Sequence, residues 1–208
     1  MPTASKLLFL PGVSGDTRFW RPVAALLAHP AAKVHLGWPG FGPTPADPGV
    51  QGIDDLVARV LREVDRPTAL IAQSMGGVIA VRAALKRPEL VTHLVLTATS
   101  GGIDTAGLGV EDWRPAFLRA HPGLPAWFIN YKPDLAAELS EVTAPALLLW
   151  GDADPISPVA VGRRLAELLP HAELRVISGG DHDLARVHAA RVAPLIEAHL
   201  AKTSGSAA

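Results

Sequence analysis

The sequence contains no cysteine and no excess of charge of either sign. The absence of Cys among 208 residues excludes disulfides, a thiolate nucleophile and Cys-based zinc sites. Lys and Arg number 19 against 20 Asp and Glu, so the chain lacks the positive field that a nucleic acid or an anionic membrane would attract. We therefore expect neither as a partner, and any covalent catalysis must use an oxygen or nitrogen nucleophile.

Long apolar runs are also missing. The first run covers only residues 7–10 before Pro11 and Gly12, which is shorter than the roughly 7 to 15 apolar residues of a signal peptide. No run approaches the ~20 residues of a membrane-spanning helix. The sequence therefore predicts a cytoplasmic protein, and its length and its 49% of hydrophobic residues are typical of one folded domain.

Short apolar runs alternate with helical patterns along the chain. The clearest helical stripe begins at Ile53 and ends at Val64, whereas the pattern over 184–200 contains Pro194, which predicts a kink or break there. The alternation predicts an α/β fold with a mostly parallel sheet of about six strands, helices on both faces and a ligand site at the carboxyl ends of the strands. The predicted strands are short apolar runs rich in Leu, Val and Ile without alternation, which fits strands covered on both faces; they lie at 7–10, 32–36, 69–72, 94–97, 146–150 and 174–177.

One stretch, residues 103–134, interrupts this alternation. Four prolines within it forbid long regular elements. We therefore predict a core formed by residues 1–102 and 135–208, with 103–134 as a short insertion. The insertion also holds five of the eleven Phe, Trp and Tyr side chains of the chain, namely Trp113, Phe117, Trp127, Phe128 and Tyr131.

The candidate nucleophile is Ser74, which follows a predicted strand and precedes a predicted helix. The segment Ala72-Gln-Ser-Met-Gly76 resembles the nucleophile elbow of the α/β-hydrolase family, G-x-S-x-G, with Ala72 in place of the first glycine. In that family a strained turn lifts the serine hydroxyl above the sheet, and small residues two positions before and after the serine permit the turn.

The loop after the first strand resembles the family's oxyanion loop. The family has His-Gly there, whereas this chain has Pro11-Gly12 followed by Val13. The resemblance implies an oxyanion hole formed by the backbone N–H groups of Val13 and Met75. Neither residue is proline, so both donors exist.

A serine nucleophile needs a base, and His182 is the candidate among eight histidines. It follows the last predicted strand in a glycine-marked loop, whereas His188 and His199 lie along the final helical pattern and are expected to be ordinary surface residues.

The orienting acid is assigned by resemblance. The loop over residues 151–158 resembles the family's G-x-x-D-x-I-x-P loop, which selects Asp154, while Asp152, Asp181 and Asp104 remain alternatives. The order serine, aspartate, histidine along the chain is that of the α/β-hydrolases.

The resemblance covers nearly the whole chain and implies a function. We expect a serine hydrolase that cleaves a small, apolar carboxylic ester or thioester through an acyl-enzyme at Ser74, with His182 as base and then acid and Asp154 orienting it. No cofactor is implied, and no metal, because the aspartates near His182 lack a metal-ligand spacing motif. A receptor for a small ligand, or a C–C hydrolase, acyltransferase or lyase with the same triad, is the alternative.

The insertion occupies the position of the family's cap over the serine. Its five aromatic residues are therefore predicted to bind substrate, the alternative being that they pack the cap onto the core.

Overall fold

A single six-stranded sheet organises the protein, as shown by a computed structural model that describes residues 3–121 and 123–202. The strands are all parallel and lie in the order β2-β1-β3-β4-β5-β6. This confirms the predicted fold class. The strands are β1 Lys6–Leu10, β2 Ala32–His35, β3 Thr68–Gln73, β4 Val91–Thr97, β5 Ala146–Gly151 and β6 Ala172–Ile177.

The helices cover both faces of the sheet. They are α1 Arg21–Leu26, α2 Ile53–Glu63, α3 Met75–Lys86, α4 Arg114–Ala120, α5 Ala126–Asn130, α6 Val159–Leu168, α7 Leu184–Val187 and α8 Ala189–Leu200, with one 3-10 helix at Glu138–Glu141.

Alternate residues of each inner strand serve two separate cores. In β1, Leu8 and Leu10 pack with α2, α3 and α6, while Leu7 and Phe9 point to the other face and pack with α1, α7 and α8. The inner strands β1, β3, β4 and β5 are buried along their whole length, which is why the sequence there is mostly apolar.

The final helical segment departs from prediction in two ways. It breaks at His188, between α7 and α8, whereas Pro194 lies inside α8. A proline removes one helical hydrogen bond, here the bond to the carbonyl of Ala190; because Ala190 is exposed, water can replace it. The expectation that His199 is a surface residue was wrong, since it is only 3% exposed where the end of α8 packs against His93 of β4.

Residues 103–134 leave the core after β4 and return before β5. The backbone N–H of Leu135 donates to the carbonyl of Gly102 at 2.9 Å, so the two ends of the segment meet. Its helices α4 and α5 are short, as the prolines require. Within the described residues, no helix is both long and apolar enough to cross a bilayer.

Candidate active site

Ser74 lies at the junction of β3 and α3 in a strained conformation. Its φ of 53° and ψ of −122° are unfavourable for a residue with a side chain. Its N–H donates to the carbonyl of Thr97 at 3.0 Å, and its carbonyl accepts from the Gly77 N–H at 2.9 Å and the Thr99 hydroxyl at 2.6 Å. The surrounding hydrogen bonds therefore hold the strained backbone in place.

Gly76 permits the oxyanion loop to approach the start of α3. A Cβ at this position would lie 2.5 Å from the carbonyl oxygen of Pro11 and 2.7 Å from that of Leu10. The same two carbonyls accept hydrogen bonds from the buried indoles of Trp38, at 2.9 Å, and Trp20, at 3.0 Å. The oxyanion loop is thus held between Gly76 on one side and the two indoles on the other. No local motif in the sequence indicates this role of the two tryptophans.

The structure brings Ser74, His182 and Asp154 together. His182 Nε2 lies 3.2 Å from Ser74 Oγ, and His182 Nδ1 lies 2.9 Å from Asp154 Oδ2. The Asp154 side chain is fully buried. Its other oxygen accepts from the backbone N–H groups of Ile156 and Ser157, at 2.9 and 3.1 Å. These bonds fix the carboxylate so that it can orient the imidazole.

The alternative aspartates satisfy backbone groups elsewhere. Asp152, which is exposed, accepts from the Gly179 N–H. Asp181 and Asp104 each accept from the N–H two residues further on, at 2.9 and 3.0 Å. The geometry therefore favours Asp154 as the partner of the histidine.

The two oxyanion candidates flank the serine. Met75 is the first residue of α3, so its N–H has no acceptor within the helix. The Val13 N–H has no acceptor in the part of the chain that the structure describes. A Cβ on Gly12 would lie 3.0 Å from Ser74 Cβ, which places the loop carrying Val13 directly beside the serine.

Gln73 links the base loop to the oxyanion loop, and no sequence signal singled it out. Its side chain is buried, and its Nε2 donates to the backbone carbonyl of His182 at 3.3 Å. Its Oε1 occupies the space that a Cβ on Gly12 would need. The amide therefore lies between the two loops that face Ser74.

A cavity of about 730 Å³ opens onto Ser74 and His182. Three of the five predicted aromatic residues line it, namely Trp113, Phe128 and Tyr131.

The other two rings predicted to bind substrate, Phe117 and Trp127, are not among the residues that line this cavity. Phe117 packs edge-on against Trp113, with ring centroids 5.4 Å apart, and stacks on His121. Trp127 packs edge-on against the buried ring of Phe41, with centroids 5.7 Å apart. Phe117 thus packs within the insertion, and Trp127 packs the insertion onto the core.

The remaining lining residues divide into apolar and charged groups. The larger apolar ones come from the core and from the start of the insertion: Ile53, Met75, Val78, Ile103, Val110, Ile156 and Val161. The charged ones come from the insertion: Asp104, Glu111, Asp112, Arg114 and Lys132. Of these five, all but Arg114 are exposed, which places charge at the rim of the cavity. No group of three or more metal-ligating side chains is found in the described ranges 3–121 and 123–202.

Comparison with known proteins places the chain in a family. The sequence profile of the Alpha/beta hydrolase family matches residues 7–137. The chain belongs to the alpha/beta hydrolase family. It is an alpha/beta hydrolase enzyme, as the sequence predicted.

Curated relatives share about a quarter of their residues with this hydrolase. The 2-hydroxy-6-oxononadienedioate/2-hydroxy-6-oxononatrienedioate hydrolase of Paraburkholderia phymatum is 28% identical over 87% of this chain and 80% of its own. The pimeloyl-[acyl-carrier protein] methyl ester esterase of Aliivibrio salmonicida is 24% identical over 86% of this chain and 85% of its own.

Solved structures share the fold at lower identity. A hydrolase from Pseudomonas aeruginosa PA01 superposes with a TM-score of 0.76 at 20% identity, over 96% of this chain and 91% of its own. A thermophilic esterase from Thermogutta terrifontis gives 0.75 at 20% identity, over 95% of this chain and 90% of its own.

Proposed function

We propose that this hydrolase cleaves a small-molecule carboxylic ester or thioester through an acyl-enzyme on Ser74. The observation that carries the proposal is the chain of hydrogen bonds from Ser74 Oγ through His182 to Asp154, beside a cavity large enough for a small substrate. A cytoplasmic location stays a prediction.

In the first step Ser74 Oγ attacks the carbonyl carbon of the substrate while His182 Nε2 takes the hydroxyl proton. The Nδ1–H of His182 points to Asp154 Oδ2, so the carboxylate holds the tautomer that leaves Nε2 free to accept the proton. The backbone N–H groups of Val13 and Met75 would donate to the oxygen that becomes negative. Collapse of the tetrahedral intermediate passes the proton from His182 to the departing alcohol or thiol.

In the second step water hydrolyses the acyl-enzyme. His182 accepts a proton from the attacking water and then returns it to Ser74 Oγ as the acid product leaves. The ring of His182 is partly exposed, with 24% of its side chain accessible, whereas Asp154 is inaccessible. Water can therefore reach the base from the cavity while the orienting carboxylate stays shielded.

The cavity supports a substrate with an apolar acyl part and a more polar end. Val78, Ile103 and Phe128 are among the side chains that would contact the acyl part. The exposed charged side chains of the insertion stand at the rim. The relative named as a methyl ester esterase agrees with ester cleavage.

A second candidate is hydrolysis of a C–C bond by the same residues. Relatives named as 2-hydroxy-6-oxononadienedioate hydrolases support this candidate, because the substrate in their name has a ketone and two carboxylates but no ester. The attack of an activated oxygen on a carbonyl carbon is common to both reactions, so the triad geometry does not separate them.

The decisive experiment combines labelling with turnover. A fluorophosphonate probe should label Ser74, and Ser74→Ala should abolish both labelling and hydrolysis of a graded panel of p-nitrophenyl esters. The matched control is Ser140→Ala, an exposed serine in the 3-10 helix, which should retain both. Labelling that persists at another serine would overturn the assignment. Turnover of a vinylogous 1,5-diketone without ester turnover would favour C–C cleavage, and a single slow round of cleavage would favour a receptor.

A further inference from the structure

Arg82 is a charged residue in the middle of the otherwise apolar part of α3. Only 19% of its side chain is exposed. Its Nη1 donates to the hydroxyl of Tyr131 at 3.3 Å, and its Nη2 pairs with the carboxylate of Asp54 on α2. One guanidinium therefore joins two core helices to the residue that follows α5 in the insertion.

This contact is next to the wall of the cavity. Arg82 lies seven and four positions after Met75 and Val78, whose side chains line the cavity, and this spacing puts all three residues on one face of α3. Ile53, which precedes Asp54, also lines the cavity. Tyr131 lines it from the insertion, and burial raises the pKa of its hydroxyl, so the phenol stays neutral.

We propose that Arg82 is a positioning residue that holds the ring of Tyr131 as a wall of the acyl pocket and thereby limits the length of acyl chain accepted. The inference rests on the proposed ester hydrolysis. Without the bond from Arg82, the ring is free to turn away from α3, and the pocket lengthens at that end. Arg82 touches no reacting atom.

The ion pair with Asp54 makes the test feasible. Asp54 is 78% exposed, so removing the guanidinium leaves no buried carboxylate without a partner. Arg82→Met removes the donor while keeping an apolar stem of similar shape, and Tyr131→Phe keeps the ring while removing the hydroxyl. Both variants are expected to fold.

The first arm measures selectivity. The ratio of kcat/KM for p-nitrophenyl decanoate to that for p-nitrophenyl butyrate should rise about tenfold in Arg82→Met, the discrimination that one methylene provides in an apolar pocket. Tyr131→Phe should raise it similarly, and the double variant should equal the single ones, because all three break one contact. Arg87→Gln, at an exposed position after the same helix, should leave the ratio unchanged. An unchanged ratio in Arg82→Met, or effects that multiply in the double variant, would overturn the proposal.

The second arm needs no activity. Tyr131 is the one tyrosine of the chain, so protein labelled with ring-¹³C tyrosine gives a single set of ring signals. These signals should shift in Arg82→Met and stay in place in Arg87→Gln. Identical signals in Arg82→Met and the parent protein would overturn the positioning role even if the melting temperature falls. If Ser74→Ala retains ester turnover, the proposed function fails, whereas this arm still tests the contact between Arg82 and Tyr131.

Discussion

Acid should destabilise the protein through the buried histidines at the end of α8. His199 and His93 are each 3% exposed and meet edge-on, with ring centroids 5.2 Å apart. Both ring nitrogens of His199 are buried without a hydrogen-bond partner among the described residues. Burial, aided by the charges of His93 and Lys202, lowers the pKa of His199 to about 4.

The size of the effect follows from proton linkage. A histidine with a folded-state pKa of about 4 and an unfolded value of 6.5 is neutral in both states above pH 7, so it adds no pH dependence there. As pH falls through 6.5 the unfolded chain takes up a proton that folded His199 does not, and stability declines until about pH 4. The loss is about 2 kcal/mol by pH 5 and about 3 kcal/mol in all. Burial also lowers the pKa of His93, which acts in the same direction.

Urea unfolding followed by tryptophan fluorescence at pH 7 and pH 5 measures this loss. His199→Leu should remove about 2 kcal/mol of the difference between the two pH values. At pH 7 it should be no less stable than the parent, because a leucine leaves no buried nitrogen without a partner. His171→Gln, at an exposed position, should keep the parent's pH dependence. The reasoning is refuted if His199→Leu loses as much stability between pH 7 and pH 5 as the parent does.

Three further predictions concern the site and its cap. Asp154→Asn should lower kcat by up to about ten-thousandfold, because the imidazole is left in the wrong tautomer, whereas the kcat of Asp152→Asn should stay within about threefold of the parent value. If steady-state kinetics show the larger loss in Asp152→Asn, the assignment of Asp154 is contradicted. Gly12→Ala should lower kcat by about a hundredfold, because the new methyl group overlaps Oε1 of Gln73 and presses on Cβ of Ser74. An unchanged kcat in a variant that circular dichroism shows to be folded would contradict this prediction. Trp127→Ala should reduce the free energy of unfolding by about 3 kcal/mol and keep the acyl-chain preference, because this ring packs on Phe41. Phe128→Ala should change the acyl-chain preference, because this ring lines the cavity. If thermal melting and the ester panel show the opposite pattern, the roles assigned to the two rings are reversed.

The sequence by itself determined the sheet and the turn that carries Ser74. Strands buried on both faces strongly favour apolar residues, so four of the six apolar runs mark strands without any long-range information. The turn at Ser74 is equally local, because its geometry demands small residues at Ala72 and Gly76. Even the loops bearing Asp154 and His182 follow strands, and parallel strands end at one edge of the sheet.

Tertiary structure alone decided which polar groups meet. Asp152 and Asp154 occupy one loop, and the loop after β6 packs against it. Only this packing determines that Asp154 contacts His182 while Asp152 accepts from the Gly179 N–H. The bond from Gln73 to the carbonyl of His182 spans 109 positions along the chain, and that from Arg82 to Tyr131 spans 49. No periodicity or motif encodes a contact across such separations.

Burial of single side chains was decided in the same way. His199 lies on an amphipathic helix whose pattern fixes only which face turns inward, and its neighbour His93 comes from a strand distant in the chain. The five rings of the insertion are alike in sequence, yet Phe41, which follows β2, draws Trp127 onto the core while Tyr131 is bound by α3. The surroundings of a side chain depend on which distant helices and strands the fold places beside it, and the neighbouring residues in the sequence do not specify those elements.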